Sequence, residues 1–331
     1  MKRFVDENGN FEIKVPITWK YSLQDAKIHT FQEYEIWKFD AFQLSIRKFK
    51  DETEKGNFDQ LSKTLPNTRI GILDYFSYPD MGDDQFTTKT WVRIFEERIV
   101  LFTLTHPNNP DKDLDNKSIE EKIQTVYAII SEFRLIDNSK SKDEINSYRV
   151  DMFLQGVGAT ALILSKAIEN KAFIEATCLL ANQIDALLRT GIVLKTQILN
   201  SNSIIETEWI YQGLLDKKKS EKDIYNKSLT LGIIDQLFFD ELQKFYENRN
   251  RVIHRFIISE ITLAEVEEIA YKYSQKLEEL NSIIYALESE QIKLNVGMTR
   301  KGDAKEENNH LNYIKGKIGK LNYFSNKELQ K

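Results

Sequence analysis

Three residue types in one short stretch, "FYENRNRVIHRF" (Phe245–Phe256), have the chemistry to act on a phosphodiester: Arg249, Asn250 and His254. Cleaving RNA without a metal needs a base to take a proton from the attacking 2′-hydroxyl. It also needs an acid to return one to the leaving 5′-oxygen. An imidazole with an unperturbed pKa of about 6.5 can take either part at neutral pH. A guanidinium stabilises the charge on the non-bridging oxygens, and an amide can orient the phosphate or the ring. The stretch raises a structural question as well. Leu242, Phe245, Val252, Ile253 and Phe256 recur at helical spacings, as one apolar face would, and Arg249 falls on that face. A charge there needs a partner or a purpose. Arg249 and His254 are five positions apart, so on a regular helix they point about 140° from each other. One chain then converges both on a single phosphate only if the helix bends or ends near Val252, and a two-fold dimer could supply the missing half.

Other chemistries are closed by the residues present. The four histidines (His29, His106, His254, His310) are scattered and Cys178 is the only cysteine, so no His/Cys metal spacing exists. No metal and no cofactor is expected. There is no GxxxxGK, GxGxxG or GxSxG motif. "GVGAT" (Gly156–Thr160) reads as small residues for close helix packing. "DKDLDNKSIEEK" (Asp111–Lys122) has Asn116 where a calcium loop needs Gly and Lys122 where it needs Glu, so a solvated acidic loop is expected.

The 331 residues carry a net charge of −5, which argues against a protein basic all over. Residues 1–140 are net −4, residues 141–290 net −6 and residues 291–331 net +5. Any nucleic-acid contact would therefore use a local patch or the tail. No N-terminal signal, no apolar run of membrane-spanning length and a lone cysteine make a membrane partner unexpected and a reduced cytoplasm the expected compartment.

Stepping along the chain, residues 1–137 read as an α+β sandwich. "FEIKVP" (Phe11–Pro16), "FQLSIRKF" (Phe42–Phe49) and "RIGILDYFSY" (Arg69–Tyr78) are strand candidates, and Phe86–His106 is a strand pair turning near Glu96–Arg98. Ser118–Glu121 is a capping box opening a helix to about Leu135, with Ile119, Ile123, Val126, Ile129 and Ile130 on one stripe. Trp19, Trp37 and Trp91 are expected in packing, or else on a binding face. Residues 138–147 are polar and aperiodic and read as a linker. Residues 148–290 read as an all-α bundle with a break near Asn170 and capping boxes at Ser203 (a short helix to about Asp216), Ser220 and Thr262 (a helix to about Glu288). Residues 291–331 read as a basic, partly flexible tail.

On these residues, 150–288 resemble the HEPN family of helical domains, whose signature is Arg-x(4–6)-His, often with Asn after the Arg. "RNRVIH" (Arg249–His254) matches it, and "AFIEATCLLANQIDALLRTGI" (Ala172–Ile192) is similar to the family's earlier helix. The resemblance implies a metal-independent endoribonuclease of a toxin–antitoxin or antiviral defence system, acting as a homodimer. His254 would be general acid/base, Arg249 the phosphate binder and Asn250 an orienting residue. Asp185 would hold Arg249 from the facing helix, with Glu175 the other acidic candidate. RNA and an antitoxin or activating protein would be partners. Arg251 and Arg255 lie outside the signature and read either as RNA-backbone contacts or as solvated surface charge. The alternative is a non-catalytic dimerisation or nucleotide-binding module. Phe11, Ile13, Pro16 and Trp19, with the following strands and the helix ending "SEFRL", resemble the PsbP-like α/β fold, which implies a fold and no activity.

Overall fold

The computed structural model describes residues 1–24, 27–33, 41–83, 85–107, 116–212 and 218–299, with the side chains of 116–118 left aside. Trp37, His310, the loop from Asp111, the side chain of Ser118 and the tail from residue 300 lie outside the described residues. The described chain divides into two units between Ile145 and Asn146.

The first unit is α+β. A three-stranded sheet has β2 (Phe11–Val15) between β1 (Lys2–Val5) and β10 (Arg134–Leu135). A seven-stranded antiparallel sheet joins β3 (Trp19–Gln24), β4 (Ile28–Glu33), β5 (Ala41–Lys48), β9 (Arg98–Pro107), β8 (Phe86–Phe95), β7 (Leu73–Gly82) and β6 (Asn67–Ile70), in that spatial order. Both faces of its centre are covered. On one face Phe42, Leu44, Trp91, Val100 and Phe102 pack with Phe11 and Ile13 of β2 and with Val126, Ile129 and Ile130 of α2 (Asn116–Ser131). On the other, Val92 and Ile99 meet Phe58 of α1 (Glu52–Ser62). This two-sided cover explains why Ile99, Val100, Leu101 and Phe102 of β9 form a continuous apolar run rather than alternating.

The hairpin expected at Glu96–Arg98 is present, with Glu96 at φ 56° between β8 and β9. "RIGILDYFSY", expected as one strand, is two: Gly71, at φ 61°, turns β6 into β7. A left-handed residue is cheap for Gly, and the turn splits the run. Helix α2 stops at Ser131, short of Leu135, because Arg134 and Leu135 pair with Glu12 and Phe11 of β2 instead.

The linker expected at 138–147 is helical from Ser141, where α3 (Ser141–Glu169) begins. Its polar residues have partners. Ser141 Oγ donates to the Gly9 carbonyl at 2.8 Å, and Glu144 accepts from Arg3 at 2.7 Å and Arg134 at 3.0 Å. Asp143 and Glu144 also lie in the first turn of α3, where the helix dipole favours negative charge.

The second unit is all α. Helix α3 ends at Glu169, Lys171 turns at φ 56°, and α4 (Phe173–Asn200) follows, which is the expected break. The unit is completed by α5 (Glu221–Thr230), α6 (Gln236–Arg255) and α7 (Leu263–Leu294). Leu180, Ile184, Leu188 and Ile192 of α4 interlock with Val266, Tyr273, Leu280 and Ile284 of α7. Gly191 permits this approach, since a Cβ there would lie 2.9 Å from Ile284 Cδ1.

The capping boxes at Ser220 and Thr262 are formed with Asp223 and Glu265. The one at Ser203 is not. Asn202 Oδ1 takes the Ile204 N–H, Ser203 Oγ donates to the Gly297 carbonyl at 2.8 Å, and only a 3-10 turn at Thr207–Trp209 follows among the described residues. Helix α7 runs past Glu288 to Leu294. The segment after it is pinned where a flexible tail was expected: Gln291 is fully buried, and Met298 and Thr299 N–H donate to Gln197 and Gln291 at 3.1 Å each.

Candidate active site

Helix α6 is capped by Asp235, whose carboxylate accepts from the Phe238 N–H at 2.8 Å. Its inward face carries Phe238, Leu242, Phe245 and Val252, and Arg249 continues that row at spacings of three and four. Ile253, expected on the same face, is 41% exposed, and Phe256 is half-buried. The helix stays α-helical through His254 to Arg255, and a 3-10 turn follows at Phe256–Ile258.

Arg249 is largely buried, with 18% of its side chain exposed, and its charge is answered by Glu221, the first residue of α5. Arg249 Nη1 donates to Glu221 Oε2, and Nη2 donates to Asn250 Oδ1 at 3.1 Å. The guanidinium carbon lies 4.9 Å from the centroid of the Tyr246 ring, and Nε is buried without a partner. The second oxygen of Glu221 accepts the Tyr225 hydroxyl. Burial, reinforced by the Glu221 charge, pushes the Tyr225 phenol far up, so it stays a donor. Burial also pushes the Tyr273 phenol up, and its hydroxyl donates to the Phe245 carbonyl at 2.6 Å. This bond ties α7 to the turn of α6 just before Arg249.

Asp185 is not the direct partner of Arg249 that the helix match implied. Its Oδ2 accepts from Arg189 Nε at 2.5 Å, one turn along α4, and Arg189 Nη1 reaches the Trp209 carbonyl at 2.8 Å. Asp185 Oδ1 is buried without a hydrogen bond. Burial raises the Asp185 carboxyl above the usual range. Arg189 opposes the rise, Glu221 adds to it, and Arg249 opposes it again. Asp185 therefore acts on Arg249 through the field of a shared cluster, while Glu221 makes the bond. Glu175 is exposed on the first turn of α4.

His254 is exposed on the last turn of α6, and no hydrogen bond joins it to a described residue. On a regular helix Asn250 points about 40° from His254 and Arg251 about 60° from it, so these three share a sector. Arg251 and Arg255 are exposed, and the Arg251 charge reaches Glu265 at the start of α7. Asn250 bridges the two halves of the motif: its carbonyl holds Arg249 and it faces the His254 side. Arg249 and His254 do not converge within one chain.

Glu221, Tyr225 and Arg189 were not singled out from the sequence. Glu221 reads there only as the residue after a cap, and nothing in its spacing announces the pair with Arg249. Among the described residues no group of three His, Cys, Asp or Glu could hold a metal ion, and no helix is long and apolar enough to cross a membrane.

No family model matches the chain, and no curated protein matches it. Among solved structures it is similar to a crystal structure from Bacteroides thetaiotaomicron VPI-5482, at 11% identity over 56% of this chain and 74% of that one, with a TM-score of 0.33. It is also similar to the solution structure of cyanobacterial PsbP (CyanoP) from Synechocystis sp. PCC 6803, at 11% identity over 41% of this chain and 92% of that one, with a TM-score of 0.28. A PsbP is thus among the chain's structural neighbours.

Proposed function

We propose that the helical unit is a metal-independent endoribonuclease of the HEPN type that works as a two-fold dimer. The observation that carries this reading is the arrangement on α6. Arg249 is held in place by Glu221 and Asn250, while His254 stands exposed and unbonded one turn further on. Glu221 and Asn250 each take one N–H of a guanidinium that has five, so donors remain for a phosphate. His254 would take the 2′-hydroxyl proton and, in the same or the partner copy, return one to the 5′-oxygen. Because one chain holds Arg249 and His254 about 140° apart, the phosphate would lie between two copies. Ile253, Ile257 and Ile258, exposed by 41%, 94% and 80%, adjoin His254 and offer apolar surface for a second copy to cover. Arg251 and Arg255 would supply backbone contacts in an otherwise acidic unit. In this reading the first unit is a PsbP-like sensor or partner-binding domain, and the whole is a cytoplasmic toxin or defence effector restrained by an antitoxin or released by an activator.

The pairing of Arg249 favours a second reading. Its main partner is already a carboxylate, so the cluster could serve only to lock α4, α5 and α6 together in a non-catalytic dimerisation module. RNA cleavage in EDTA separates the two. Cleavage by the wild type and none by His254→Ala supports the enzyme. Equal cleavage by both removes His254 from catalysis, and no cleavage by either, across varied RNAs and with candidate activators, supports the module.

A further inference from the structure

A cavity of about 310 Å³ opens in the first unit beside the turn that joins β1 to β2. Its floor is polar and mostly withdrawn from water. Asp6 lines it while only 3% exposed. The Oδ2 atom of Asp6 is taken by Asn10, whose side-chain amide donates at 2.6 Å and whose backbone N–H donates at 3.3 Å. The Oδ1 atom accepts no hydrogen bond among the described residues. A carboxylate oxygen so placed calls for a donor from outside.

His29 of β4 also lines the cavity, near enough for the Asp6 charge to act on its imidazole. The ring is wedged between aromatics, with its centroid 4.7 Å from that of Phe11 and 6.0 Å from that of Tyr21. Burial lowers the His29 pKa against the opposing pull of Asp6, so the ring is neutral at pH 7. Burial, with Asp6 and Glu7 adding to it, keeps the Tyr21 phenol protonated, and its oxygen lies 3.1 Å from His29 Nδ1. An imidazole lone pair is a better acceptor than a phenol oxygen, so the phenol donates to Nδ1 and the ring proton sits on Nε2. Nε2 has no partner among the described residues. The floor thus sets a donor, His29 Nε2, beside an acceptor, Asp6 Oδ1. A hydroxyl satisfies both, since it accepts and donates at once. An anion would meet Asp6 with like charge, and an ammonium would leave the His29 donor idle.

The wall and the rim differ from the floor. Leu23, which pairs with His29 across the β3–β4 ladder, and half-buried Ile46 of β5 form an apolar side against which a carbon skeleton can lie. Lys27 and Lys48 stand exposed at the rim without a partner among the described residues. Arg98 spends one N–H on Asn138 at 3.2 Å, and the nearby Asp137 carboxylate is bonded to Ser139. Arg47 also lines the cavity but is paired with Glu54 at 2.8 Å. Asp25 and Ala26, next to Lys27, lie outside the described residues.

We propose that this cavity binds a small sugar phosphate, with a sugar hydroxyl bridging His29 Nε2 and Asp6 Oδ1 and the phosphate held by Lys48, Lys27 and Arg98. The volume stands at the small end of ligand sites, which suits one sugar unit and not a larger cofactor. The site lies wholly in the first unit and gives the sensor reading of that unit a ligand. It stands whether or not the helical unit cleaves RNA.

Calorimetric titration of the full chain with glucose 6-phosphate and ribose 5-phosphate, against glucose, ribose and inorganic phosphate, tests the assignment. At least one sugar phosphate should bind saturably, at least tenfold tighter than its own sugar and than phosphate, and the preferred one identifies the size of sugar the floor accepts. The double variant Lys27→Gln/Lys48→Gln should weaken that binding by about tenfold or more, and Lys48→Arg should retain it. His29→Phe keeps a ring in place and removes the Nε2 donor, so it should weaken the sugar phosphate about fivefold. The two lysines are exposed, so their variant reads binding even if His29→Phe unsettles the sheet. The proposal is overturned if neither sugar phosphate binds at millimolar concentration, or if phosphate or the bare sugar binds as tightly. It is equally overturned if the lysine variant, or a folded His29→Phe, binds like the wild type. Cleavage is read separately through His254→Ala, so failure of one reading leaves the other standing.

Discussion

Removing the Glu221 carboxylate should unlock the helical unit. Glu221→Ala leaves the Arg249 charge without its anion and the Tyr225 hydroxyl without its acceptor. The side chains of Glu221 and Arg249 are 14% and 18% exposed, so the pair is mostly but not wholly dry. Breaking a fully buried pair from one side costs about 3–5 kcal/mol, and an orphaned buried hydroxyl about 1–3 kcal/mol. Two effects work the other way: residual water reaches the guanidinium, and Asp185 loses a repelling neighbour and can answer part of the Arg249 charge. A net loss of about 3 kcal/mol is expected. Urea unfolding followed by helical circular dichroism measures it, and hydrogen exchange locates it, with protection lost first in α5 and the C-terminal half of α6. In a double-mutant cycle Arg249→Met should recover at least about 1 kcal/mol of the loss, because the two changes remove the same interaction. A loss below about 0.5 kcal/mol, within the range of ordinary surface substitutions, or strict additivity with Arg249→Met, would refute the claim that Glu221 holds Arg249.

His254→Ala should leave the urea midpoint within about 0.5 kcal/mol of the wild type, since the side chain is exposed and unbonded; any loss of RNA cleavage would then be chemical and not a folding defect. Two carboxyls should give opposite slopes in acid. Burial raises Glu12, but Arg3 at 2.9 Å and Arg134 at 2.6 Å outweigh it and hold the group below its ordinary 4.5. Its stabilisation is therefore present above 4.5 and lost as pH falls through the lower folded value, and Glu12→Gln should flatten that part of the unfolding curve. Asp185 is raised from 3.8 by burial, so its ionisation costs stability as pH rises from 3.8 through the folded value, and Asp185→Asn should remove that decline. Thr262→Ala should cost about 1 kcal/mol by opening the capping box at the start of α7, read as a lower thermal midpoint.

Much of the helical unit was legible because helix signals are local. The caps at Ser220 and Thr262 sit three residues from the N–H groups they satisfy, and the row Leu242, Phe245, Arg249, Val252 needs only the helical period. The failures have physical causes too. Ser203 has the cap pattern, but its hydroxyl is claimed by Gly297, 94 residues away. Helix α1 carries a single buried residue, Phe58, so no stripe announces it. In β3, an edge strand of its sheet, no residue is fully buried and Leu23 is exposed on the same side as half-buried Trp19 and Tyr21, which blurs the alternation. Residues 138–147 look like a linker because they are polar, and they are polar because Ser141 and Glu144 are bonded to Gly9, Arg3 and Arg134.

The sequence by itself determined that Phe245–Phe256 is helical, that Arg249 lies on its apolar face, and that His254 points elsewhere. Backbone geometry alone sets those relations. Tertiary structure decided which carboxylate answers Arg249. Asp185 and Glu221 are both acidic residues near the start or middle of a neighbouring helix, and no spacing ranks them. The i, i+4 spacing on α4 puts Asp185 beside Arg189, and the packing of the bundle brings the first turn of α5 against α6, so the charge on the apolar stripe meets Glu221. An ion pair between helices is chosen by their spacing and rotation, which exist only once the bundle has packed.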